Sequence, residues 1–536
     1  MIDQARSRYE STALSLGLAA LLGLVMSLVV YPALFLFGEA ARFHNFVFPN
    51  DALDYRLAWQ ALVEHGNPWP SLWTDLFNYP DGVPISLMDG LPLAATVFRP
   101  FVSWLPADFH YFGLWHVVAV TLQAVAGAVF VRAAGVRHVV PCLLAAAFAL
   151  AMPIFIGRLN WAHVALSTQG LLILSLALCI HASRERPALG FVFPRATALS
   201  LVTLAIHPLL ALQVVLFCLF ATALAHAPAL RRIGAAAIQC LLFAAMCETL
   251  GIFAADSLAS DLGLGEFGFS PLGMIVGEPD ALREIYAARG PGIEQDAWLG
   301  AGCVLLLLVG LAVPPRWRIP RAYYPLAGVI VLLVLIAISP WVRFGSYFFD
   351  LSFLFPDWLV DLYGIHRAAV RLAWPLVICL SLLPLVHFAS AWPRSRAILI
   401  LGAAFALQLF SVAPYWAHEY QDARVAVERL LPPPQILKGG SRLLVIEELN
   451  GIPTEARHLR FAMHLAVETG IPLEGGWFSR PPPKSRDRPG FEHPGDPHTR
   501  YVAAETPEAN PPTRLPQVSV PVTCVRWEWL FVCRPQ

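Results

Sequence analysis

Two carboxylates stand near the start of this chain. Asp51 and Asp54 lie three residues apart in FPNDALDYRLAWQALVEHG, and that spacing puts both on one face of a helix. A carboxylate held there can take a proton from an attacking hydroxyl. The same residues have plainer uses: Asp51 can cap the helix and Asp54 can be a solvated surface acid. A divalent metal on the pair gets no support from spacing, because no His or third acid follows at a fixed interval. Asp89, in NYPDGVPISLMDGLPL, is a further acid in the same loop. Trp59 and Tyr79 offer aromatic faces that suit a sugar ring, although aromatic side chains also anchor at membrane interfaces.

The cations form a second set. Arg158 and His163 flank the short link GRLNWAH, and Arg367 and Arg371 stand at i,i+4 in GIHRAAVRLAWP. A guanidinium fork pairs two oxygens of one phosphate, which makes arginine the natural partner of a phosphate leaving group. The alternatives are ordinary snorkelling of arginines to the interface and a satisfied interfacial histidine at 163. Seven of the nine cysteines lie in or at the ends of apolar runs, where they serve as small hydrophobes. Cys524 and Cys533 stand apart, flanking the strand-like VRWEWLFV, and can pair in an oxidising space. No paired-cysteine or Cys/His metal spacing is present.

The elements that must position these residues are set by the lipid bilayer. Of the 536 residues, 57% are hydrophobic and 14% charged, against about 25% charged in a soluble domain. The net charge is zero, so nothing points to nucleic acid. Apolar runs of roughly 17–25 residues match a hydrocarbon core of about 30 Å and must be helical, because lipid offers backbone groups no partner. The predicted spans are 13–37, 111–131, 138–157, 163–182, 196–207, 208–226, 232–254, 298–314, 322–340, 371–391 and 397–414. The links 132–137, 184–195, 228–232, 315–321 and 393–396 all carry arginine, which places them inside. The N-terminus is then cytoplasmic and the C-terminus outside. Loops 38–110, 255–297 and 341–370 also face out.

Three local readings complete the scheme. The short run 91–105 reads as a helix lying on the membrane, and Leu53, Leu57 and Ala61 as an apolar stripe resting on it. The stretch 196–226 reads as a hairpin of two short helices broken at His207-Pro208; the alternative is a single long tilted helix, which would reverse the topology downstream. The tail reads as a small α/β unit: a strand at 443–448, a helix at 454–469, a Pro/Arg/Asp-rich mobile loop at 480–515 and a strand pair within 518–532. The expected fold is thus an all-α polytopic membrane domain of about 11 helices over 1–414, with an extracytoplasmic α/β tail over 415–536.

A transmembrane anchor, an acid opening the first outer loop, membrane-surface helices and many further spans together resemble the GT-C class of membrane glycosyltransferases. More closely, NDALDYRLAW, NYPDGVPISLMDGLPLAATVFRPF, DFHYFGLW and HRAAVRLAWP resemble an uncharacterised bacterial membrane-protein family, catalogued as a domain of unknown function and grouped with GT-C proteins. The resemblance implies an inner-membrane enzyme that moves a sugar from a polyprenyl-phosphate carrier to a glycan or protein acceptor. It places the catalytic base on Asp51. GT-C enzymes often carry two adjacent acids where this chain has them three apart, which leaves the role of Asp54 open; Asp89 matches an acid of the closer family. A flippase for a lipid-linked glycan, or a non-catalytic envelope assembly protein, are the alternative readings. A transporter would carry ionisable groups deep in several spans; most central spans here lack them, with Glu248 and a near-terminal His207 as exceptions.

With 38–110 and 415–536 outside, single cysteines at Ser71 and Thr506 will react with an impermeant thiol reagent on intact cells. Labelling of both sites only after lysis would invert the topology.

Overall fold

The computed structural model describes residues 2–30, 51–106, 109–160, 163–255, 268–276, 297–344, 347–360, 368–422, 435–446, 448–449, 452–453, 456–475, 496–504, 511–515, 521–527 and 530–536. They form two compact units. One comprises Met1–Gly38, Phe112–Met246 and Ala259–Asp422; the other comprises Glu39–Tyr111, Cys247–Leu258 and Ala423–Gln536. The loop ahead of Phe112 therefore groups with the tail, and not with the helices of the first unit.

The first unit is a helical membrane domain. Among the described residues, six helices are long and apolar enough to cross a bilayer: Thr12–Val29, Phe112–Ala133, Ala229–Thr249, Arg321–Ile338, Ala369–Ala391 and Ser395–Ala413. The pair Val139–Leu150 and Pro153–Leu159 makes a seventh if it is one span bent by 50°. Leu189–Leu204, Pro208–Leu224 and Ala301–Ala312 are apolar but shorter. The chain is a multi-pass membrane protein.

Two predicted spans look different in three dimensions. The run 138–157 is broken at Ala151-Met152, ahead of Pro153. The run 163–182 becomes helical only at Gly170, and the turns before it bury Ser167, Thr168 and Gln169. Hydropathy reported the apolarity of both runs but not the breaks, because buried irregular backbone at membrane depth needs polar partners that come from elsewhere. The stretch 196–226 does form two helices, the first beginning early at Leu189. His207 is extended there (φ −155°, ψ 116°), and its Nδ1 accepts the Leu210 N–H at 3.3 Å as an N-cap.

Three glutamine amides supply the partners at the broken helix. Pro153 has no N–H, so the carbonyl four residues earlier, Ala149 O, loses its helical donor. Gln123 Nε2 donates to it at 3.0 Å. Gln408 Nε2 donates to Ala151 O at 2.9 Å and Leu299 O at 3.2 Å, while its Oε1 accepts the Cys303 N–H at 3.2 Å. Gln169 Nε2 donates to Ile154 O at 2.9 Å. All three glutamines are fully buried.

The arginine-bearing links gather at one end of this unit. Arg132 bonds Thr12 and Ser15 of the first helix and the Arg137 carbonyl, and Arg184 Nη1 donates to Ala133 O at 3.1 Å. Ala188, in the link 184–195, bridges to His226, just ahead of the link 228–232.

The second unit is built on a five-stranded sheet. In spatial order its strands are Val522–Trp527, Leu530–Pro535, Thr499–Ala504, Arg442–Val445 and Leu473–Glu474. The first three run antiparallel to one another in that order, and Arg442–Val445 is parallel to both of its neighbours, Thr499–Ala504 and Leu473–Glu474. The helix Ala456–Thr469 buries Phe461, Ala462, Met463, Leu465 and Ala466. Thr499–Ala504 lies inside the stretch expected to be a mobile loop, yet it is a buried central strand. Its short apolar run YVAA is hidden in sequence by the Pro, Arg and Asp around it; residues 476–495 lie outside the described part. Cys524 and Cys533 are directly opposed on adjacent strands and are bonded.

The first loop closes the sheet edge. Leu473 N donates to Leu76 O at 2.8 Å, Tyr79 N to Leu473 O at 3.1 Å and Asn78 N to Gly475 O at 3.2 Å. An open edge row of N–H and C=O groups is thereby covered. The run 91–105 forms a short helix, Pro92–Phe98, and a 3-10 turn with Phe101 and Trp104 exposed. Of the stripe expected to rest on lipid, Leu57 and Ala61 are instead fully buried inside protein; the Leu53 side chain lies outside the described residues.

Gln408→Leu leaves Ala151 O, Leu299 O and the Cys303 N–H without that side chain, at about 1–3 kcal/mol per buried group. Thermal unfolding of the full chain in detergent will show a loss of at least about 2 kcal/mol. Phe410→Leu, at an exposed position two residues away, will change it by less than about 0.5 kcal/mol. Equal behaviour of the two variants would remove the amide from the stability argument.

Candidate functional site

Arg158 sits in the last turn of Pro153–Asn160, the half-helix that follows the break. It is 3% exposed, and its Nη1 donates to His163 Nδ1. An imidazole that accepts at Nδ1 is neutral and carries its proton on Nε2. The Arg158 guanidinium also lies over the Trp374 ring, 5.7 Å from its centroid, within cation–π range.

Trp374 begins the helix Trp374–Ala391, directly after the 3-10 turn Ala369–Ala373 that carries Arg371. Residues three apart across a 3-10 turn share a face, so Arg371 and Trp374 face the same way. Trp374 is fully buried, and its indole N–H has no acceptor among the described residues. The structure thus brings Arg158, His163 and Trp374 together, with half-buried Arg371 on the adjoining turn. Two guanidinium groups and an indole donor at a helix start are suited to an anionic oxygen group. Arg367 lies outside the described residues.

The acids and aromatics of the first loop belong to the second unit. Asp51 is the first residue of the helix Asp51–His65. Asp54, one turn on, is 1% exposed and is held by Arg460 of the tail helix. Arg460 Nε donates to Asp54 Oδ1 at 2.8 Å and Oδ2 at 3.0 Å, and its Nη2 donates to Oδ2 at 2.6 Å. Both carboxylate oxygens are engaged, so Asp54 is not the solvated surface acid of the plainer sequence reading. The same two helices carry buried Arg56, His458 and His464. Burial, with the positive field of Arg56, lowers the His464 pKa to about 4.

Trp59 is used for packing. Its Nε1 donates to Phe109 O at 2.8 Å, and its ring meets the edge of Tyr111 at 5.4 Å. Tyr79 is exposed at 38%. Asp89 is half-buried and left-handed (φ 56°), in the turn after the 3-10 segment Ile85–Leu87. Asp tolerates that conformation better than most residues, which gives this acid a backbone reason to be here. No group of three or more His, Cys, Asp or Glu suited to a metal occurs among the described residues.

Sequence reasoning missed Trp374, Arg460 and the glutamines. The glutamines did leave a signal, as isolated amides inside apolar runs. Trp374 stood in the quoted HRAAVRLAWP, and only the fold shows that Arg158 stacks on it.

Fold and site define a multi-pass membrane protein with a buried basic cluster at a helix start and a separate α/β unit. The chain belongs to the family described as a domain of unknown function (DUF6311), which matches residues 20–413. No curated protein matches it.

Breaking a buried ion pair on one side strands the other charge, at about 3–5 kcal/mol. Arg460→Met will destabilise the second unit by that amount, read by thermal unfolding of the full chain. Adding Asp54→Leu will restore most of the loss, because apolar pairs of similar volume replace buried ion pairs well. A double variant no more stable than the single one would refute a mainly structural role for the pair.

Proposed function

We propose that this protein is a GT-C-like membrane glycosyltransferase that takes a sugar from a polyprenyl-phosphate carrier and passes it to a hydroxyl acceptor on the outer face of the bacterial inner membrane. The observation that carries this reading is the cluster of Arg158, His163 and Trp374, with Arg371 on the adjoining turn. Such a group offers charge and directed donors to a phosphate. In this reading Arg158 and Arg371 hold the carrier phosphate, with Arg367 one helical turn from Arg371 in sequence.

The reaction needs a base and a stabilised leaving group. The acceptor oxygen attacks the anomeric carbon, and the bond from that carbon to the carrier phosphate oxygen breaks. The electron pair goes to the phosphate, where the guanidinium groups stabilise it. The hydroxyl proton passes to Asp51. Asp54 serves as a positioning residue: clamped by Arg460, it fixes the helix on which Asp51 is the first residue.

Asp51→Asn keeps shape and capping ability but removes the base, so transfer from purified polyprenyl-phosphate sugars will fall roughly 10²–10⁴-fold at equal protein level. Arg371→Ala will raise the donor concentration needed for half-maximal rate. Wild-type turnover in Asp51→Asn would take that residue out of the mechanism. A wild-type protein that transfers no sugar, yet moves a lipid-linked glycan across vesicles, would establish the flippase reading in place of this one.

A further inference from the structure

The arginine-bearing end of the membrane unit holds a cavity of ≈ 510 Å³, distinct from the Arg158 cluster. Its lining includes Arg184, Arg318, Trp317, Tyr323, Leu383 and Val386. Trp374 begins the helix that ends at Ala391, and Leu383 and Val386 belong to its far half. At 1.5 Å per residue, the two ends are about 26 Å apart, close to the thickness of a hydrocarbon core.

The cavity is amphiphilic in a specific way. Leu383, Val386 and the Trp317 and Tyr323 rings form apolar walls, while Arg184 and Arg318 bring two positive charges against the one acid in the lining, Glu185. The surrounding field has the same sign: the links 132–137, 184–195, 228–232, 315–321 and 393–396 together hold twelve arginines and one acid. Such a field concentrates anions at the mouth.

The arginine at position 184 is built in. Its Nη1 donates to Ala133 O at 3.1 Å, and the guanidinium packs against Gly135. Gly135 is left-handed (φ +103°), and a side-chain carbon there would run into that guanidinium. On the other wall, His387 Nε2 bonds the Pro315 carbonyl at 2.9 Å and Trp317 N bonds Gly310 O at 2.6 Å, so the loop carrying Arg318 is tied to two helices.

We propose that this cavity binds an anionic membrane phospholipid, with the headgroup phosphate on Arg184 and Arg318 and an acyl chain along Leu383, Val386 and Trp317. The site lies where lipid headgroups lie, at the ends of membrane helices, and its apolar wall continues from the headgroup level into the helix Trp374–Ala391. It is a second phosphate-recognising place, at the opposite end of that helix from the proposed donor cluster, and it does not depend on the transferase reading.

Native mass spectrometry of the purified full chain in detergent, with added phosphatidylglycerol, tests it. Wild type will retain the lipid. The Arg184→Gln/Arg318→Gln double variant will retain about tenfold less. Ala322→Trp fills the cavity and leaves both arginines in place, so it will also lose the lipid. Arg231→Gln, on the same basic end but outside the lining, will behave as wild type. Equal retention in wild type, the double variant and Ala322→Trp would overturn the proposal. Displacement of phosphatidylglycerol by millimolar inorganic phosphate would overturn the lipid assignment in favour of a soluble phosphate ligand.

Discussion

Lipid gives a backbone carbonyl no partner, and the membrane unit is organised around the place where its own helices stop providing one. The break at Ala151-Met152-Pro153 frees carbonyls in the interior. Amides from the helices Phe112–Ala133 and Arg394–Asp422 occupy Ala149 O and Ala151 O, and Gln169, from the turns before Gly170, adds a bond to Ile154 O just past the break. A buried carbonyl left bare costs several kcal/mol in such surroundings, so the break is tolerated only because the fold brings three distant side chains to it. The half-helix after the break carries Arg158. The cation cluster therefore depends on the amide network: without the break the helix would run straight, and Arg158 would not meet both His163 and Trp374.

The same unit is electrically polarised. One end collects arginines in short exposed links, where solvent screens them. The other holds Arg158 under a buried indole, where screening is weak and geometry decides what can bind. A charge removed from water needs a fixed partner, so the ring of Trp374 and the acceptor on His163 matter more to Arg158 than any exposed neighbour matters to an arginine of the links.

In the second unit the organising contact is the bidentate pair of Asp54 and Arg460. It joins the helix Asp51–His65 to the tail helix, while residues 76–79 complete the tail's sheet. The loop and tail are one folded body because neither closes alone. Among the described residues the loop has no sheet of its own beyond a two-stranded ribbon, and the tail sheet would otherwise leave its Leu473–Glu474 edge open.

Much of this was legible in the sequence for reasons that are local. Apolar run length and arginine in short links mark a multi-pass membrane protein, because insertion is decided by hydrophobicity and flanking charge. His207-Pro208 marked a helix boundary, because proline constrains its own neighbourhood, and a structured tail was visible from helical and strand-like periods. Partner choice was not legible. Asp54 and Asp51 look alike in sequence, and the pairing that singles out Asp54 spans 406 residues. The glutamines look like stray polar residues until the broken helix they serve is in view. The strand Thr499–Ala504 is indistinguishable from a loop until strands on both sides claim its backbone. Sequence determined which segments must leave water, since that is a property of each segment by itself. Tertiary structure decided which buried polar groups meet, since a hydrogen bond acts over about 3 Å and depends on where the rest of the chain has gone.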